Sequence, residues 1–197
     1  MKTKTFAVPV ILSVLMLAAA PVMAAGGGDL QHANVNVTDT AAVQRGARLF
    51  VNYCMSCHSA SYMRYKRLAT DLGLDDDAVM ENLVFGDAKI GDRMTIAMRP
   101  ADAEKWLGKV PPDLTVIARS RGVDWLYTYF NTFYQDASGN WNNQVLPNAS
   151  MPHVFWQLQG IQKPFYATHD GQTTIERLVL DTPGLQSPEE YEGTVRD

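Results

Sequence analysis

The run Cys54-Met55-Ser56-Cys57-His58 constrains this chain more than any other feature. These are its only two cysteines, three positions apart, so no disulfide framework can hold 197 residues together. Two thiols one helical turn apart match the spacing of two vinyl groups on one edge of a porphyrin. The histidine next in sequence then aims its imidazole at the iron, so C-x-x-C-H reads as covalent attachment of a c-type haem. Two blander readings compete. A thioredoxin-like redox pair sits at a helix N-terminus after a strand, but here the pair follows Arg45-Gly46-Ala47-Arg48-Leu49-Phe50, a helical stretch. A zinc site needs about four ligands, and there is no second cysteine pair.

The iron needs a sixth ligand from elsewhere. Methionine raises the reduction potential and suits electron transfer, whereas an open position suits ligand binding or catalysis. The methionines outside the first 24 residues and the motif are Met63, Met80, Met94, Met98 and Met151, and the remaining histidines are His32, His153 and His169. Most methionines fill cores, which is the default for Met63 and Met80. Met94 and Met98 stand 36 and 40 residues after His58, the reach of a small soluble cytochrome. Met151 stands 93 residues after it, at the end of an asparagine-rich stretch. Pro152 biases it towards extended backbone, which suits a side chain reaching from a loop. Spacing alone leaves these nearly even.

The N-terminus is expected to be an address. Lys2 and Lys4 precede an apolar run from Phe6 to Val22, interrupted by Pro9 and Pro21, and Val22-Met23-Ala24 supplies small residues at a cleavage site. That is the shape of a secretory signal peptide over 1–24, and the run is shorter than the roughly 20 residues of a membrane span. An uncleaved anchor is the alternative. The formal charge is −4, and removing Lys2 and Lys4 takes it to −6. An acidic balance argues against nucleic acid as a partner. Export also means an oxidising compartment, where a free thiol pair is expected to be bonded to something.

Residues 25–38, small and polar, read as a flexible lead-in. Helical periodicity and capping residues then predict helices over Thr40–Tyr53, Asp75–Phe85, Ala101–Leu107 and Leu114–Arg121. A further aromatic helix, Trp125–Tyr134, would be capped by Asp124. Gln135–Ser150, with four asparagines, reads as a long loop, the kind that usually has a function or is disordered. Thr173–Leu180 is β-branched enough for a short strand. Ser187-Pro188-Glu189-Glu190 begins a helix, over 187–197, with little room to finish it; a frayed terminal turn is an equal reading.

Arg45–Phe50 leading into Cys54–Ser59 resembles cytochrome c1, the haem subunit of ubiquinol–cytochrome c reductase. So do Ser61-Tyr62-Met63-Arg64-Tyr65, Pro111-Pro112-Asp113-Leu114 with Ala118-Arg119-Ser120-Arg121, and Met151-Pro152-His153. The resemblance runs from about Asp39 to Asp197. It implies a mostly α, class I cytochrome c-like haem domain over 39–186, with long loop insertions and little β. It makes Cys54 and Cys57 the thioether anchors of one haem c, and His58 and Met151 the axial ligands. A carbonyl of the Pro111-Pro112 pair, with Pro112 as the choice, would take the other ring N–H of His58. Arg121, then Arg119, would face the propionates. It also implies cytochrome b and a Rieske iron–sulfur protein as partners, a soluble cytochrome c as acceptor, and the periplasmic side of the inner membrane. Family members continue into a C-terminal membrane helix. No such span follows Tyr191 here, so a missing anchor is expected. Three alternatives are a free-standing small periplasmic cytochrome c using Met94 or Met98, a haem protein with an open site, and a thiol–disulfide oxidoreductase.

Overall fold

A computed structural model describes residues 29–197; the expected signal peptide and the first residues of the lead-in lie outside them. Helix α1 (Thr40–Leu49) starts where Asp39 accepts a hydrogen bond from Ala42 N at 3.1 Å, satisfying one of the unpaired donors of a first turn. It runs directly into a single π-helical turn, Phe50–Cys54. Such turns are rare and concentrate at functional sites; this one delivers Cys54. Strand β1 (Ala60–Arg64), α2 (Tyr65–Leu72) and α3 (Asp76–Leu83) come next, with Asp75 capping α3 through Ala78 N at 2.7 Å. A two-residue strand, β2 (Arg93–Met94), pairs antiparallel with β1. Helices α4 (Pro100–Leu107), α5 (Ile117–Arg121) and α6 (Val123–Asn131) lead to the second half.

There β3 (Phe133–Gln135) pairs with β4 (Trp141–Asn143), and a short α7 (Trp156–Gln159) precedes a long hairpin of β5 (Gly160–His169) and β6 (Gln172–Pro183). The chain ends on α8 (Pro188–Arg196), where Ser187 and Glu190 form a reciprocal capping box. Among the described residues, three antiparallel ribbons beside eight helices make the fold mixed, so the expectation of little β is corrected. The strand expected over Thr173–Leu180 lengthens to β6, and its partner β5 went unread because Pro164 and Gly160 argue against a strand by propensity. Pro164 pairs with Leu178 in this two-stranded ribbon. The expected loop over Gln135–Ser150 contains β4, and Asp136 closes the β3–β4 turn by accepting from Ser138 N and Asn140 N.

Two separate cores result. An aliphatic one gathers Val51, Leu72, Val79, Leu83 and Met94; the other is aromatic, built on Tyr129, Phe133 and Val145 with Trp125, Phe130 and Met151 against them. Part of the lead-in is tied to the domain by hydrogen bonds. Gln31 N donates to Thr128 Oγ1, Ala33 N donates to Asp124 Oδ1, and Arg196 Nε donates to Ala33 O. Asp124 is thereby corrected from helix cap to anchor of this arm; α6 already begins at Val123.

Among the described residues, no helix is long and apolar enough to cross a membrane.

Candidate functional site

The π turn ends at Cys54, and the next turn closes by hydrogen bonds from Cys57 N and His58 N to Cys54 O, at 3.1 and 2.8 Å. Both thiols are free and half-buried. Burial pushes the Cys54 thiol up to about 11. A redox-active pair needs the opposite shift, a stabilised thiolate, so this environment disfavours thiol–disulfide chemistry.

His58 lies beyond the turn with Nδ1 2.7 Å from Pro112 O. A carbonyl only accepts, so Nδ1 carries a proton, and in the neutral ring it is Nε2 that keeps its lone pair. Such a bond is what orients a ligating imidazole and raises its basicity. Two free thiols, a free imidazole lone pair and a fixed ring orientation together suit a covalently attached haem. Among the described residues no group of three or more His, Cys, Asp or Glu side chains is gathered to hold a metal ion.

Pro112 is held by its neighbours. Leu114 N donates to Ser59 O at 2.8 Å, Ser61 N to Asp113 Oδ2 at 2.8 Å, and Tyr62 N to Thr115 Oγ1 at 3.3 Å. Asp113 also accepts from the backbone and hydroxyl of Thr115. Burial alone would push the Asp113 carboxyl up; hydrogen bonds from Thr115 and Ser61 outweigh it and hold the group at about 2.

Met151 comes from the other half. It is half-buried against the aromatic core, beside Ala149. Its loop is shaped by asparagines. The Asn143 side chain, fully buried, donates to Tyr129 O at 2.7 Å and accepts from Val145 N and Leu146 N. Asn142 accepts from Asn143 N and Asn148 N. His153 is buried and stacked on Phe133, centroids 4.9 Å apart, and neither ring nitrogen has a well-formed hydrogen bond among the described residues. Burial takes its pKa down to about 4 against an opposing pull from Gln159, leaving it neutral near pH 7. The halves meet where Tyr53, just before the motif, packs edge-on to Phe155, which packs on Phe130 of α6.

Of the other residues singled out by sequence, Met94 lies in the aliphatic core at 2% exposure, which gives it a packing role. Met98 is half-buried. Arg121 is exposed, with its guanidinium 4.9 Å from the Trp125 ring centroid. Asp113, Thr115 and Asn143 were missed by sequence reasoning; an Asp two residues before a Thr carries a local turn signal, but Asn143 acts only through tertiary contacts.

Two free cysteine thiols next to an imidazole whose Nδ1–H is fixed on a backbone carbonyl suit a c-type haem carrier. The sequence profile of the Cytochrome C1 family matches residues 31–163. Cytochrome c1 of Allochromatium vinosum is 47% identical over 194 residues, covering 95% of this chain and 80% of that protein. The ammonia monooxygenase gamma subunit of Nitrosomonas europaea is 43% identical over 192 residues, covering 95% and 77%. The mitochondrial cytochrome c1 haem protein of Neurospora crassa is 28% identical over 116 residues, covering 50% and 35%. This chain belongs to the cytochrome c1 family. It is a one-electron transfer subunit carrying one covalent haem c within ubiquinol–cytochrome c reductase, and the reading as a free-standing cytochrome or thiol oxidoreductase is set aside.

Proposed function

We propose that Cys54 and Cys57 would hold the haem through thioether bonds and that His58 and Met151 would be the side chains that ligate its iron. Bound there, the haem supplies a one-electron ferric/ferrous couple. The reading rests above all on the 2.7 Å contact between His58 Nδ1 and Pro112 O, which frees Nε2 for iron. Pro112 thus serves as acceptor for His58, and Arg121, exposed beside Trp125, is the cation offered to the propionates. With His58 and Met151 both ligating, the haem would serve electron transfer and would have no free site for a substrate.

In this reading electrons arrive from a Rieske iron–sulfur protein and leave to a soluble cytochrome c, with the domain docked on cytochrome b at the periplasmic face of the inner membrane. The acidic balance, −4 for the whole chain, suits a basic carrier, because complementary fields raise association rates more than affinity. Residues 1–24 act as the export signal and 39–186 as the haem domain.

The test is Met151→Leu in chain matured with haem. The variant should keep its covalent haem, lose the far-red methionine–iron band of the ferric form, bind carbon monoxide when reduced, and show a lower potential. A wild-type band and potential in Met151→Leu would exclude this ligand and return the question to Met98.

A further inference from the structure

We infer that Asp113 is a positioning residue for the haem ligand: it holds the Pro112 carbonyl against His58 and so sets the imidazole's basicity and the reduction potential. The inference rests on the reading of His58 as an iron ligand and goes beyond it. Pro112 is poorly equipped to hold itself in place, because proline has no N–H to donate. Its carbonyl is therefore placed by residues 113–115. The segment 112–115 lies along 58–62 as a short mixed ladder in which His58 reaches Pro112 O, Leu114 N reaches Ser59 O, Ser61 N reaches Asp113 Oδ2 and Tyr62 N reaches Thr115 Oγ1.

Asp113 is the hub of that ladder. One carboxylate oxygen takes Ser61 N while the other takes both the N–H and the hydroxyl of Thr115. Thr115 in turn receives Tyr62 N, so the two residues bridge the segments on either side of the Leu114–Ser59 rung. Hydrogen bonds to an ionised acceptor are about twice as strong as neutral ones, and here they span 52 residues of sequence at the residue next to Pro112. No other carboxylate among the described residues accepts from Ser61 N or Thr115 N. Loosening this clamp lets the Pro112 carbonyl swing. The His58 N–H then bonds less tightly, the imidazole becomes a weaker electron donor, and the ferric state loses stabilisation relative to the ferrous.

The experiment uses haem-loaded chain carrying Asp113→Ala, Asp113→Asn or Thr115→Val. Proton NMR of the reduced protein tracks exchange of the His58 Nδ1 hydrogen with solvent, and a redox titration gives the potential. Asp113→Ala should speed that exchange by ~tenfold or more, the change that weakening by one charge-assisted bond allows, and raise the potential. Asp113→Asn should move both less, because one acceptor oxygen remains. Should Asp113→Ala fail to mature, Thr115→Val decides: it removes the hydroxyl's bond to the Asp113 carboxylate and its bond from Tyr62 N, and should also speed the exchange, by about threefold or more. Unchanged exchange and potential in the mature variants would overturn the inference while leaving His58 as ligand. A wild-type His58 ring lacking the large haem-induced shift would instead overturn the ligand assignment, and the role of Asp113 with it.

Discussion

The residues around His58 and those around Met151 are held in opposite ways. On the histidine side, side chains and backbone of two short segments bond directly to each other, on an exposed ladder where Asp113 holds an ionised carboxylate. On the methionine side a neutral, fully buried amide, Asn143, ties the loop to Tyr129 of α6, whose ring meets Phe133 edge-on while Phe133 stacks on His153. The first arrangement can give locally without exposing a core. The second cannot, because each buried amide group has no water to turn to.

Three substitutions test that contrast. The largest effect belongs to Asn143→Ala, which orphans the N–H groups of Val145 and Leu146 and leaves Tyr129 O only the Thr132 N–H at 3.4 Å; denaturant unfolding should show a loss of about 2–4 kcal/mol. The same variant should lose the methionine–iron band while keeping its covalent haem. Retention of wild-type stability would mean that the loop is held by packing alone. Asp39→Ala removes the cap of α1, the helix leading to the cysteines, and should cost about 1 kcal/mol by the same measurement, with the band intact. The smallest effect is expected for Arg67→Ala, which breaks an exposed pair with Asp71 on α2. A double-mutant cycle with Asp71→Ala should give a coupling of at most about 0.5 kcal/mol, fading with salt.

The contrast also explains what could be read from sequence. Asp39, Asp75 and Ser187 each cap a helix through a backbone N–H only three residues away, so these helix starts are written locally in the sequence. Cys54, Cys57 and His58 form a contiguous motif whose spacing is itself the chemistry. By contrast α2 was not anticipated, since its burial of Tyr65, Ala69 and Leu72 is meaningful only against α1 and α3. The asparagines of the β3–β4 region looked like solvent-exposed loop, yet Asn143 is as buried as any of the described residues. Polarity marks loops only where the polar groups face water, and nothing local tells an amide that will bond inward from one that will not. Pro112 came into view through family resemblance, and Asp113 through a partner 52 positions away.

The anchored arm at residues 31–33 has a consequence in time. Its contacts are to Asp124, Thr128 and Arg196, the last of them 163 positions downstream. A chain made from its N-terminus presents this arm among its first described residues, the groups at Asp124 and Thr128 about midway, and Arg196 only at the far end of α8. Closing the longest of these loops carries a cost that grows only slowly with length, but the Arg196 bond cannot form until α8 exists. The arm's bond to Arg196 is therefore its last to be completed, only once α8 exists and long after the cysteines have been made.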